Sequence, residues 1–176
     1  MLCSDGSEPD SHFYRPNVGA LLFNPAGLVF IGRRNDFNDI EKDSGSWQMP
    51  QGGIDADEDP RSAVLRELKE ETGTDKAEIV AETRDWFRYD IPSLVSGKLW
   101  HGKYKGQRQK WFALRFLGTD GDIDINKHEP EFSAWKWAPL DGLPALIVPF
   151  KRDVYKAVIE EHGRAELLDH RFVDVA

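Results

Sequence analysis

The sequence predicts an α/β (α+β) fold, a mixed β-sheet sandwiched between helices, and three observations lead there. β-favouring runs stand on both sides of one well-capped helix, a second segment of helical periodicity closes the chain, and the composition is 40% apolar and 31% charged, which suits a water-soluble globular chain. At 176 residues, one domain suffices to bury a core without staples. The expected division is a flexible leader at 1–13, one domain at 14–162 and a C-terminal tail at 163–176.

Taken in order, Val18 to Phe23 is a strand-like run, Asn24-Pro25-Ala26-Gly27 a turn signal and Leu28 to Gly32 a second apolar run, which together make a hairpin. Asn35 to Ser46 is polar and reads as an exposed loop before the compact segment Trp47-Gln48-Met49-Pro50-Gln51-Gly52-Gly53. Asp59 followed by Pro60 predicts a helix start, because Asp accepts from free amides and Pro has no amide to waste, and Gly73 supplies the stop. Between them Val64, Leu65, Leu68 and Thr72 fall on one arc facing a core, with Glu67, Glu70 and Glu71 on an adjoining arc. Strands follow at Ala77–Thr83, Trp86–Ile91, Trp111–Leu117 and Trp135–Ala138. From Pro149 onward, Val154, Tyr155, Val158 and Ile159 have helical spacing up to a stop near Gly163.

The net charge of −8 excludes broad attraction to nucleic acid, so any polyphosphate must be met locally, by carboxylates that recruit cations or by confined Lys and Arg patches. No apolar run approaches the length of a membrane span, and the polar start of the chain does not read as a secretory signal, so a cytoplasmic location is expected, with no membrane contact and no obligate protein partner. Cys3 is the only cysteine, which rules out an intrachain disulfide. The five histidines offer no metal-binding spacing, and His128 beside Glu129 reads as a loop residue.

On a helix, positions 67, 70 and 71 project from one face, so their carboxylates crowd together. Taken alone they fit a solvated acidic face with Arg66 and Lys69 as partners, or a site whose oxygen-only donors favour Mg²⁺ or Mn²⁺. The surroundings decide between the two. The chain runs Gly52, five residues, Glu58, seven residues, Arg66-Glu67-Leu68, one residue, Glu70-Glu71, one residue, Gly73, and this pattern resembles the Nudix box. Thr74 departs from it, standing where the family usually has an aliphatic residue. The resemblance implies a Nudix fold and hydrolysis of a phosphoanhydride by water, with Glu67, Glu70 and Glu71 as metal ligands beside Gly52. Glu58 and Arg66 brace the carboxylates by charge-assisted bonds, and Glu70 or Glu67 is the candidate base.

Outside the box, Tyr14-Arg15-Pro16-Asn17-Val18-Gly19, Gly32-Arg33-Arg34, the segment from Trp47 to Gly53, Gln109-Lys110-Trp111-Phe112, Pro130-Glu131-Phe132 and Phe150-Lys151-Arg152-Asp153-Val154-Tyr155 resemble the bacterial RNA pyrophosphohydrolases and related dinucleoside polyphosphate hydrolases. That likeness implies a further metal ligand at Glu131. It also implies substrate contacts at Arg15, Arg34, Gln48, Tyr89, Lys110, Phe150 and Lys151, with Phe150 stacking on a base. Read without it, Glu131 is an exposed turn carboxylate, Phe150 a core residue and each cation a solvated group. Lys103, Lys105, Arg108 and Lys110, interleaved with Tyr104 and Trp111, suit either a basic hairpin with an inward Trp or a patch that neutralises phosphates and stacks a base.

The expected activity is removal of pyrophosphate from the 5′-triphosphate end of RNA, leaving a monophosphate, with Mg²⁺ or Mn²⁺ as cofactor. Hydrolysis of diadenosine tetraphosphate is the alternative. A noncatalytic nucleotide-binding Nudix domain is an answer of another class, disfavoured by the complete set Glu67, Glu70, Glu71 and Glu131.

Overall fold

The computed structural model describes residues 10–35, 46–93 and 100–162. The predicted leader up to residue 9 with Cys3, the interior of the loop Asn35 to Ser46, the middle of the connection Pro92 to Lys105 and the tail from 163 lie outside the described residues. The elements are β1 (Tyr14–Phe23), β2 (Val29–Arg34), β3 (Trp47–Gln48), β4 (Gln51–Gly53), α1 (Pro60–Thr72), β5 (Ala77–Glu82), β6 (Phe87–Asp90), β7 (Gly106–Phe116), β8 (Phe132–Ala138) and α2 (Arg152–His162). Among the described residues no helix is long and apolar enough to cross a membrane.

One mixed sheet runs β3-β2-β1-β7-β5, with β4 also paired to β1, β6 to β7 and β8 to β2. Its spine is the parallel pairing of β1 with β7, from Tyr14 opposite Gly106 to Phe23 opposite Arg115. The remaining pairings are antiparallel. Because strand side chains alternate, the two strands feed two cores. Val18, Ala20, Leu22, Phe112, Leu114 and Phe116 pack against Ala63, Val64 and Leu68 of α1. Leu21, Phe23, Trp111 and Ala113 pack against Val154, Tyr155 and Val158 of α2. The sheet is therefore covered on both faces, as the sequence predicts.

The hairpin forms around Asn24, whose Oδ1 accepts from the Leu28 amide at 3.0 Å, but β1 begins at Tyr14 rather than Val18. Likewise β7 begins at Gly106 rather than Trp111, and β8 at Phe132 rather than Trp135. In β7 the hidden part is polar: Gln107 and Gln109 are buried but hydrogen-bonded, so apolar patterning misses them. The short β3 and β4 carry no period long enough to read.

Helix α1 starts and stops as predicted. The Asp59 carboxylate accepts from the Ser62 amide at 3.2 Å, and Gly73, at φ 76°, takes the left-handed position that closes the helix. Its buried arc is rotated from the predicted one. Leu65 is 39% exposed, whereas Glu71 is 3% exposed among Ala63, Val64, Leu68 and Thr72. At roughly 100° per residue, Glu71 lies within about 20° of Val64 and Leu65 a full step to the other side. A carboxylate thus occupies a core-facing position. Before α2, Pro149–Lys151 forms a single 3-10 turn, and α2 ends at His162.

Candidate active site

The three glutamates of α1 differ in depth because of that rotation. Glu71 is buried, the Glu67 side chain is 13% exposed and that of Glu70 is 50% exposed. Arg66, beside them, spans the site. Its Nε and one terminal nitrogen each donate to Glu58 at 2.8 Å, and the latter also donates to the Gly53 carbonyl at 2.9 Å. Its other terminal nitrogen donates to Glu67 at 2.8 Å and more loosely to Glu70 at 3.3 Å. One guanidinium therefore ties α1 to β4 and to the loop before the helix.

These contacts set the charges. The Arg66 guanidinium holds the Glu58 carboxyl down at about 2. Burial pushes Glu67 up to about 7 against the pull of Arg66, with the charges of Glu70 and Glu131 adding to the rise. Glu71 is pushed well above the usual carboxylate range, first by burial and then by Glu131 and Glu67, while the Gln51 amide, donating to it at 3.1 Å, opposes the shift. Glu131 arrives from the segment before β8, where its carbonyl accepts from the Asn35 amide at 3.0 Å, and its carboxyl lies beside that of Glu71.

Glu71 Oε1 is buried without a hydrogen-bond donor. That unsatisfied oxygen, the raised Glu67 carboxyl and an all-oxygen donor set completed by Glu131 fit a hard divalent cation such as Mg²⁺. Among the described residues no three His, Cys, Asp or Glu side chains are already gathered as a metal cage.

A cleft of about 270 Å³ collects Glu67, Glu70 and Glu131 with Gly52 and Gly53, the guanidinium groups of Arg15 and Arg34, and the amides of Asn17, Gln48, Gln51 and Gln107. Arg34 reaches Gln48 Oε1 at 3.5 Å. Gln109 underpins the floor, donating to Asn17 at 2.9 Å and to Gln51 at 3.0 Å. The Met49 amide donates at 2.8 Å to the buried Tyr155 hydroxyl, which anchors the turn into β4 from the α2 side.

The predicted substrate residues do not all meet there. Arg15, Arg34 and Gln48 line the cleft. Tyr89 and Phe150, with ring centres 6.0 Å apart, line a neighbouring cavity of about 330 Å³, and the Tyr89 hydroxyl donates to Gln107 of the cleft. Lys151 is only 5% exposed, with Nζ 5.6 Å from the centre of the Tyr89 ring, so it is not a solvated cation at the mouth. Lys110 is not brought in at all. Alternation along β7 sends it to the face opposite Gln107 and Gln109, where it donates to the Arg84 carbonyl at 3.2 Å. Asn17, Gln51 and Gln107 were missed as cleft residues; polarity inside strand-forming segments, and for Asn17 and Gln51 their place in the resembling segments, was the signal that could have found them.

The NUDIX domain family matches residues 13–158. The chain belongs to the Nudix family. Among curated Nudix relatives, the RNA pyrophosphohydrolase of Afipia carboxidovorans is 51% identical over 154 residues, covering 86% of this chain and 93% of the relative. That of Roseobacter denitrificans is 55% identical over 149 residues, covering 84% and 90%. Among solved Nudix-like structures, the dihydroneopterin triphosphate pyrophosphohydrolase of E. coli aligns at a TM-score of 0.62 with 19% identity, covering 84% of this chain and 98% of that one. The Ap4A hydrolase of C. elegans, in a binary complex, aligns at 0.57 with 17% identity and the same coverage. At such identities the structures speak for the Nudix fold, which agrees with the sheet and helices described above.

Proposed function

We propose that this Nudix protein is a divalent-cation-dependent hydrolase that removes pyrophosphate from the 5′-triphosphate end of RNA and leaves a 5′-monophosphate. The observation that carries the reading is one cleft in which Glu67, Glu70 and Glu131 face the cations Arg15 and Arg34. It is supported by relatives named RNA pyrophosphohydrolase that are more than half identical over most of both chains. The cytoplasm, where transcripts carry such ends, is the proposed location.

Glu67, Glu70, Glu71 and Glu131 would hold Mg²⁺ or Mn²⁺. Bound there, the cation supplies charge that neutralises phosphate oxygens and lowers the pKa of an attacking water. Glu70, the most exposed of the α1 carboxylates, is the group proposed to take the proton of that water, a reading its exposure supports. Arg15 and Arg34 pair with phosphate oxygens by planar charge-assisted bonds, and Gln48 and Gln107 orient the same groups by neutral ones. Arg66, braced by Glu58 and by the Gly53 carbonyl, is assigned the role of positioning Glu67. Phe150, half-buried and backed by the buried Tyr89, offers a ring face next to the cleft for a base of the RNA.

The test is a side-by-side measurement of kcat/KM on triphosphorylated RNA and on diadenosine tetraphosphate with Mg²⁺. The proposal expects RNA to be the better substrate by a wide margin. A preference for the dinucleotide assigns the cleft to that class instead, and tight nucleotide binding without turnover would make the protein a binding module.

A further inference from the structure

We propose that the segment Trp100–Lys105 forms a rim that binds the nucleotides of single-stranded RNA beyond those held in the cleft, which rests on the RNA reading above. The rim is continuous with the cleft through Arg15. A Cβ at Gly53 would lie 2.3 Å from a terminal nitrogen of Arg15, so the guanidinium lies over the cleft floor, while the same group sits 5.4 Å from the centre of the Trp100 ring. From Trp100 the chain of contacts runs on: Tyr104 meets it edge to face at 5.9 Å, and Lys103 Nζ lies 5.1 Å from the Tyr104 ring. Cation, ring, ring, cation is the alternation that a phosphate backbone with stacked bases matches, since every base has a face to stack and every phosphate a charge to meet.

Two further features mark the segment. In a chain of net charge −8, the stretch 100–107 contains Lys103 and Lys105 and no Asp or Glu. A confined cationic stretch in an otherwise acidic chain gives a polyanion a local place to bind. In addition, Trp100 and His101 both have positive φ, 52° and 53°, a conformation disfavoured for residues with a Cβ. Two successive left-handed residues set a half-exposed tryptophan at the lip of the cleft, and such strain is the kind that clusters where a ligand is met. Trp100 is itself partly buried against the α2-side core, which fixes its ring in place, while His101 and Lys103 beyond it are exposed and Tyr104 is half-buried.

The experiment compares 5′-triphosphorylated RNAs of two and of about eight nucleotides as substrates, and measures binding of a 5′-hydroxyl octanucleotide, which cannot react, by fluorescence anisotropy. The paired variant Lys103→Gln with Tyr104→Ser, and separately Trp100→Leu, should lower kcat/KM on the longer RNA and weaken octanucleotide binding by about fivefold or more. Both should leave the dinucleotide substrate unchanged. Equal loss at both lengths would mean that Trp100 merely holds Arg15, and no loss at either would mean that the rim touches no RNA; each overturns the proposal, as does a wild-type protein that binds no octanucleotide. If the wild type binds the octanucleotide through this rim yet cleaves no triphosphorylated RNA, the assigned reaction fails and the rim stands.

Discussion

A methyl group on Gly52 would lie 1.9 Å from the carboxyl carbon of Glu67. The glycine of β4 is therefore the space that the Glu67 carboxylate occupies, and the two positions are one device. The atom in the way is the end of a flexible side chain, so a larger residue at 52 displaces the carboxylate and leaves the fold alone.

Gly52→Ala is accordingly expected to fold with a stability change under about 1 kcal/mol and to lose about a hundredfold or more in kcat, the usual effect of moving a working group by an ångström. Thermal melting and kcat read the two halves separately. A variant that is both stable and fully active would remove Glu67 from the machinery.

Arg66→Lys keeps the charge but cannot donate twice to Glu58 while holding Glu67 and the Gly53 carbonyl. Loss of these partly buried charge-assisted bonds should lower stability by about 1.5–3 kcal/mol and reduce kcat more than it raises KM, because Arg66 acts through Glu67. A denaturant melt and steady-state kinetics check both; a pure KM effect would point to direct substrate contact.

Glu70→Gln should fold with a change within about 0.5 kcal/mol, since the side chain is half exposed, and lose about a hundredfold or more of the rate as cation ligand or base. Normal turnover on RNA, with normal circular dichroism, would sink the role given to the α1 carboxylates.

Stability should depend on pH in a way that the cation reverses. Glu67 has a folded value of about 7 against an ordinary 4.5, so the folded protein binds the extra proton. The stability this contributes is full below about 4.5 and is lost as pH rises from there through 7, with Glu71 shifted in the same direction. Glu58 works oppositely, its contribution being lost only as pH falls toward 2. In chelator, Tm should fall between pH 5 and 7.5 more steeply for the wild type than for Glu67→Gln, and Mg²⁺ should raise Tm more at pH 7.5 than at pH 5. Identical slopes for the two proteins would contradict the burial of Glu67.

Phe150 is half-buried against the α2-side core and against Tyr89, so Phe150→Ala should lower Tm as well as activity. Stacking, worth about 1–3 kcal/mol per base, should appear as a larger loss of kcat/KM on triphosphorylated RNA than on tripolyphosphate. Equal losses on both would leave Phe150 a packing residue only.

Sequence by itself determined whatever depends on neighbours along the chain. Asp59-Pro60 and Gly73 bound α1, helical spacing crowds Glu67, Glu70 and Glu71 onto one side, and the run from Gly52 to Gly73 identifies the family, because capping, helical period and motif spacing are local. Tertiary structure decided the rest, for reasons of packing and strand parity. It rotated α1 so that Glu71 rather than Leu65 faces the core, which grades three similar carboxylates into one buried, one nearly buried and one exposed. It also buried Gln107 and Gln109 in mutual hydrogen bonds that no apolar pattern reveals. Alternation on β7 turned Lys110 away from the cleft, burial took Lys151 out of solvent, and the fold of the chain before β8 brought Glu131 to Glu71. Each of these depends on which surface a side chain meets, and that is set only when distant strands and helices pack together.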